Sequence, residues 1–230
     1  MNICDYKYKT ELHLHTSPAS SCSEIPPEKA VETYAKLGYD SIVVCNHFYP
    51  GMRFVEDKET CIREYLADYD KAVETGKRLG VHVILGCELR FTENNNDYLI
   101  YGIDRDFLSW AFDRLDAGIE AFSKEFRSED HLIVQAHPFR NGMTHVEPEL
   151  LDGIEAFNMH PSHNSRVAIA ARYAREHNMI MTAGTDYHHP GHEGCAAILT
   201  REPLTDSHDI VKLLKSGDYI FEVGGCKVLP

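Results

Sequence analysis

No stretch of this chain approaches the roughly 18 consecutive apolar residues that a membrane-spanning helix requires. Its N-terminus, Met1-Asn2-Ile3-Cys4-Asp5-Tyr6-Lys7, carries no basic region, apolar core or small-residue cleavage site. Seven cysteines, an odd number without a C-x-x-C pair, do not make a disulfide framework. The expectation is a soluble cytoplasmic protein with reduced thiols. Positive charge is also scarce: 23 Lys and Arg stand against 36 Asp and Glu, a net charge of −13. A sequence-independent grip on nucleic acid depends on Lys and Arg neutralising phosphates, so no nucleic-acid polymer and no membrane is expected as a partner. A small phosphorylated substrate stays admissible, because two or three bound divalent cations would add about four to six positive charges where the acids converge. Internal repeats, low-complexity segments and Pro/Gly/Ser linkers are missing too, which favours a single domain over residues 1–230.

What is present is an ordinary globular composition, 43% hydrophobic and 26% charged. Short apolar runs alternate with helical patterns. Leu12 to His15 reads as the first strand. Pro26-Pro27-Glu28 opens a helix that Gly38 ends. Ser41 to Cys45 has the continuous apolar character of a parallel strand buried on both faces. A helix over residues 56–79 places Ile62, Tyr65, Leu66, Tyr69, Ala72, Val73 and Gly76 at three- and four-residue steps. Strands follow at Val81–Leu85 and Tyr98–Tyr101, then a helix from Phe107 to about Arg127 and strands at His131–Ala136 and Gly153–Phe157. A helix over Arg166–Glu176 leads to a strand at Met179–Ala183. One more helix, Asp209–Lys215, and a weak strand, Tyr219–Val223, complete the chain. About seven strands alternating with helices predict a parallel α/β sheet, closed into a barrel or left open.

The chemistry-bearing residues cluster at one end of this pattern. His13 and His15 share one face of the first strand, because alternate side chains point the same way. Two imidazoles so placed are half of a tetrahedral zinc site, though two surface histidines would read alike. His47, Glu88, His137, Asn158 and Asp186 each fall just past the C-terminal end of an apolar run, where α/β sheets and barrels place active sites. Asp186 and His188 repeat the two-residue spacing of the opening motif. Mixed imidazole and carboxylate donors suit zinc, iron or manganese better than calcium. Arg140 and Arg90 are the nearest guanidinium groups for a phosphoryl group, whose oxygens match their planar fork.

In order, His13-x-His15-Thr16, Asn46-His47, Gly86-x-Glu88, Ala136-His137-Pro138 and Gly184-Thr185-Asp186-x-His188 resemble the PHP family, the polymerase and histidinol phosphatase superfamily of metal-dependent phosphoesterases. The resemblance runs from residue 11 to about 190. It implies an α/β fold, a distorted (β/α)7 TIM-like barrel, with two or three divalent ions at its C-terminal mouth. By motif, His13, His15, Glu88 and Asp186 would hold one metal, with Glu88 bridging to a second that His137 also binds, and His47 and His188 would serve a third. The family tends to supply a His just before the fourth strand and an Asp or His shortly after the first motif; the nearest residues here are Asp97, and Cys22 or Glu24. Asn46 stands where many members have Asp. Asn158 and His160 would line the pocket.

The expected reaction is hydrolysis of a small phosphomonoester by a metal-activated hydroxide, with Arg140 neutralising phosphoryl oxygens and His160 protonating the leaving oxygen. Two alternatives stay open. One is amidohydrolase-like cleavage of C–N bonds at the same site; the other is a non-catalytic metal-binding or interaction module with a relic site.

Overall fold

The computed structural model describes residues 2–54 and 57–230. Two six-stranded mixed sheets form the centre of the α/β fold. The first has the order β12 (Cys226–Val228), β11 (Ile220–Val223), β10 (Ala196–Thr200), β1 (Tyr8–Leu14), β2 (Ser41–Val44) and β4 (His82–Leu85). The second runs β3 (His47–Phe48), β5 (Cys87–Arg90), β6 (Asp97–Tyr101), β7 (Leu132–Gln135), β8 (Gly153–Asn158) and β9 (Ile180–Gly184). Six helices accompany them: α1 (Pro27–Lys36), α2 (Lys58–Leu79), α3 (Arg105–Phe112), α4 (Gly118–Phe126), α5 (Val167–Glu176) and α6 (Ser207–Ser216). Glu56, placed at the start of the second helix by the sequence pattern, lies outside the described residues; within them α2 is capped by the Asp57 carboxylate, which accepts from Thr60 N.

The two sheets are continuous at the places that matter for the site. The chain passes from β2 in one sheet to β3 in the other across Cys45-Asn46, and from β4 to β5 across Gly86 alone. Gly86 is needed there, since a Cβ would stand 2.6 Å from Cys45 Sγ and 2.7 Å from Val43 Cγ1. Tyr65 of α2 fixes both crossings, its hydroxyl lying 3.0 Å from the carbonyls of Asn46 and Gly86. At the other margin the end of β1 is stitched to the segment after β9: Leu14 and Tyr187 form a parallel bridge, His15 N donates to Tyr187 O, and Asp186 N donates to His13 O.

Three sequence expectations need correction. The sheets are not wholly parallel: β6 runs antiparallel to both β5 and β7, because residues 91–96 form a link too short for a parallel crossover. The helix expected over residues 107–127 is two helices, interrupted over residues 113–117 and resumed at Gly118, whose φ is +76° and whose missing Cβ leaves room for the Glu93 carboxylate. Glu93 then accepts from Ile119 N at 2.8 Å and caps α4. Finally, the C-terminal region holds β10 and β12 besides the expected β11; β10 pairs antiparallel with β1 and buries all five residues. No described helix is long and apolar enough to cross a membrane.

Candidate metal centre

Strand ends deliver the polar residues to one place. β1 carries His13 near its end, with His15 two residues on; β3 and β5, the short continuations of β2 and β4, carry His47 and Glu88 in register with each other. The reversal of β6 brings its first residue, Asp97, to the same rim, opposite Arg90. His137 and Asp186 follow β7 and β9 in left-handed backbone conformations, φ +32° and +54°. Such conformations cost about 1–3 kcal/mol each for ordinary residues and gather at functional sites.

Glu88 is the hub. Its Oε1 lies 3.2 Å from His137 Nε2 and 3.4 Å from His13 Nε2, while Oε2 lies 2.6 Å from His47 Nδ1 and 3.4 Å from His15 Nε2. Asp186 Oδ1 stands 3.5 Å from both His13 Nε2 and His15 Nε2, and 3.2 Å from His188 Nδ1. The His13 and His15 Nε2 atoms face one another at 3.0 Å. Apart from partly exposed His47, these side chains are buried or nearly so. Among the described residues, three overlapping groups of donors are close enough to hold an ion: His13, His15 and Glu88; His15, His47 and His188; and His47, Glu88 and Asp97.

The charges alternate, and the titration behaviour follows. Burial alone would depress His13, but Glu155, Asp186 and Glu88 push it well above its ordinary value. His47 is likewise raised against burial by Glu88 and Cys22, and His188 is pushed up to about 10 by Asp186 and Cys22. His15, buried beside His188 and His47, is lowered. Glu88 and Asp186 stay well below the usual carboxylate range because the surrounding imidazoles overcome their burial.

The donor set fits divalent cations. Glu88 Oε2 is buried yet makes no hydrogen bond of acceptable geometry among the described residues, with several imidazole nitrogens around it. A buried anionic oxygen in that state asks for a cation. The acids that hold protons on three imidazoles would hold metal in the same field, releasing those protons.

Other candidates are brought in with different partners. Arg90 grips Asp97 through two hydrogen bonds of 2.6 and 2.8 Å, and Arg140 stands 3.6 Å from the same carboxylate. Arg140 also lines a cavity of about 420 Å³ with Gln135, Phe139, Met143, Arg166 and Tyr173. Asn158 gives its amide protons to Glu155 Oε2 and Asp186 Oδ2 and receives Ser165 Oγ and His160 N on its oxygen. His160 stacks on His163 at 3.8 Å, and burial lowers it to about 4. Glu24 is turned outward, 3.5 Å from His189. Asn46 uses both ends of its amide, accepting from Thr16 N and Ser20 Oγ and donating to Thr16 Oγ1.

Residues outside the sequence reading also hold the site. Glu155 accepts from His137 N and lies 2.8 Å from His13 Nδ1, the ring nitrogen remote from Glu88. Glu11 accepts from His13 N, Thr185 N and Tyr34 Oη, and burial pushes it up to about 7. Glu155 was signalled by an acid between Ile154 and Ala156 in an otherwise apolar strand, whereas Glu11, in a strand that also carries Lys9, Thr10 and His13, gave no such signal. His163 approaches Asp186 Oδ2 at 3.5 Å.

The chain matches the PHP domain over residues 11–223. No protein of curated function matches it. Solved structures do. A two-domain protein of Bacteroides vulgatus that contains a predicted PHP-like metal-dependent phosphoesterase superposes with a TM-score of 0.61 at 17% identity, covering 93% of this chain and 64% of that one. This chain thus spans about two thirds of that protein. PsfC of Pseudomonas syringae gives a TM-score of 0.61 at 18% identity, covering 89% and 87% of the two chains. An amidohydrolase of Chromobacterium violaceum, solved with sulfate and no metal, gives 0.51 at 15% identity, covering 79% and 88%. At such identities the likeness carries the fold.

Proposed function

The chain belongs to the PHP-domain family, and from that premise and the geometry of its rim we propose that it is a metal-dependent phosphoesterase acting on a small phosphomonoester. The carrying observation is Glu88, one buried carboxylate within 3.4 Å of His13, His15, His47 and His137. We read residues 1–230 as one domain and β1 to β9, with β3 and β5 continuing β2 and β4, as the seven strands of a distorted barrel. His13, His15, Glu88 and Asp186 would hold one cation, and Glu88, His137 and Asp97 a second; His47 and His188 would serve a third. Zinc, manganese and iron all suit this donor set. When bound, such ions acidify water and neutralise phosphoryl oxygens.

The chain's own groups supply the rest. Glu155, at His13 Nδ1, fixes that ring so that Nε2 faces the centre. Asn158 holds Asp186 and Glu155 in place and so positions the site. Arg140, at the edge of the 420 Å³ cavity, faces a phosphoryl group entering from that side, and Arg90 fixes the Asp97 carboxylate through two hydrogen bonds. His160 Nδ1 accepts from Ser162 N, so its neutral ring presents Nε2–H as a hydrogen-bond donor to the leaving oxygen.

The test is elemental analysis of untagged protein purified without chelator, followed by phosphate release from sugar phosphates, nucleotides, histidinol phosphate and phosphotyrosine peptides. Two or more cations per chain with phosphate release from one class is the expected result. A cation-loaded protein that releases none overturns the proposal. The amidohydrolase similarity favours C–N hydrolysis as the second reading, which would yield amine and carboxylate instead.

A further inference from the structure

The cavity of about 420 Å³ lies beside the metal centre and departs from the rest of the molecule in charge. Pro138, next to His137, lines it, as does Arg140, whose guanidinium stands 3.6 Å from Asp97 Oδ2. Arg166, the residue before α5, joins them. In a chain with 36 acids against 23 bases, this cavity presents two arginines and, among the described residues, no carboxylate in its lining. Glu147, which pairs with exposed His145 at 3.8 Å, is not part of that lining. Arg166 holds a left-handed backbone, φ +47°, a costly conformation for a residue with a side chain and one that gathers at binding sites. Its guanidinium donates to Phe139 O and, at 2.6 Å, to Asn141 Oδ1. Both acceptors are neutral, so its charge is unmatched by them and N–H donors remain. Tyr173 is wedged by Phe139 and His145 at ring separations of 5.5 and 6.0 Å, yet its hydroxyl is buried without a hydrogen-bond partner among the described residues. A buried hydroxyl in that state is costly until a ligand meets it.

We propose that this cavity receives the alcohol part of the substrate and that Arg166, with the Tyr173 hydroxyl, binds a second anionic group carried on it, a carboxylate or a further phosphate. The inference rests on the phosphoesterase reading and deepens it by naming the substrate class. Arg140 stands between the two halves of such a molecule, with the metal centre on one side and the cavity on the other. A guanidinium and a phenolic O–H are both donors, and together they match the oxygens of an anion. The volume is that of a pocket for a small organic molecule. A substrate with an ammonium group at that position would meet two arginines and find no counter-charge, so cationic phosphoesters are selected against.

Phosphonates test the cavity without turnover, because their P–C bond is not an ester. Calorimetry on the metal-loaded full chain compares propylphosphonate with 3-phosphonopropionate, propane-1,3-diphosphonate and 3-aminopropylphosphonate, and then the six-carbon homologue of each. The expected result is that a carboxylate or a second phosphonate tightens binding by about tenfold or more over the plain alkyl probe, and that the ammonium group does not. Whichever anion gains more identifies the group the substrate carries. Arg166→Gln should remove the advantage, Arg166→Lys should keep part of it, and Tyr173→Phe should reduce it. If Arg166→Gln does not fold, Tyr173→Phe, which deletes one oxygen, decides in its place. Equal affinity for all probes, tighter binding of the ammonium probe, an anion advantage that survives the deciding variant, or no binding of any probe overturns the proposal. Anion-selective binding without phosphate release from any ester removes only the hydrolase reading; phosphate release without anion selectivity removes only the second anion site.

Discussion

The rim cluster and the aromatic wedge under α3 and α4 are both buried, and they are held by opposite means. In the wedge, Phe91, Phe107, Trp110, Phe122 and Phe126 pack ring against ring at 5.0–5.9 Å, and the guanidinium of Arg114 only covers the partly exposed ring of Trp110, 4.1 Å from its centroid. Every contact there adds stability, and a change of one side chain leaves only a hole. At the rim, carboxylates and imidazoles are stripped of water and survive by facing one another, with His137 and Asp186 in strained backbone. Buried ion pairs contribute little net stability, while losing one partner exposes the full cost of the other. The contrast teaches that stability and chemistry are separated along the molecule: the wedge supports the strain that the rim keeps for binding.

The sharpest way to break this division is His13→Ala, which should remove all detectable turnover and at least one cation per chain while circular dichroism stays native. If the variant instead lost its fold, the rim would be a structural core. On the other side, Phe122→Ala should lower stability by about 3–5 kcal/mol in a thermal or urea melt, with unchanged metal content at temperatures where the variant is folded. Between these lies Glu155→Gln, where metal affinity measured by competition with a chelator should weaken roughly 10–100-fold, since the group that orients His13 keeps its shape and loses its charge. The smallest effect belongs to the outer face of α4. Lys124→Ala breaks an exposed pair with Glu120 at 2.7 Å and should move stability by no more than about 0.5 kcal/mol. A larger change would mean that surface charge, and not the wedge, holds that helix.

Much of the rim was legible because its residues punctuate apolar runs. His47, Glu88, His137 and Asp186 are polar positions where a strand should still be apolar, and the structure brings them together. Glu155 was less visible: it sits between Ile154 and Ala156 within an apolar run, so it reads as strand, although a lone acid inside a buried strand already needs a partner. Strand direction escaped for another reason. Apolar runs carry no sense of direction, and only the short 91–96 link could have shown that β6 returns antiparallel. The break over residues 113–117 was hidden because Leu115 and Ile119 keep a helical spacing through it. How Asn46 replaces Asp became clear only in three dimensions: its amide must donate to Thr16 Oγ1, which itself donates to buried Asp68, and a carboxylate cannot do that.

The reversed strand β6 also decides where this molecule can vary. Its reversal makes residues 91–96 the tip of a hairpin beside the mouth, and Asn96 exchanges two hydrogen bonds with the backbone of Thr144 in the wall of the 420 Å³ cavity. A hairpin tip can lengthen or shorten without unpairing its strands. Insertions there would carry the cavity wall with them and leave Glu88 paired in β5 and His137 after β7, so the entrance can be refashioned for a new substrate while the chemistry beneath it is inherited unchanged.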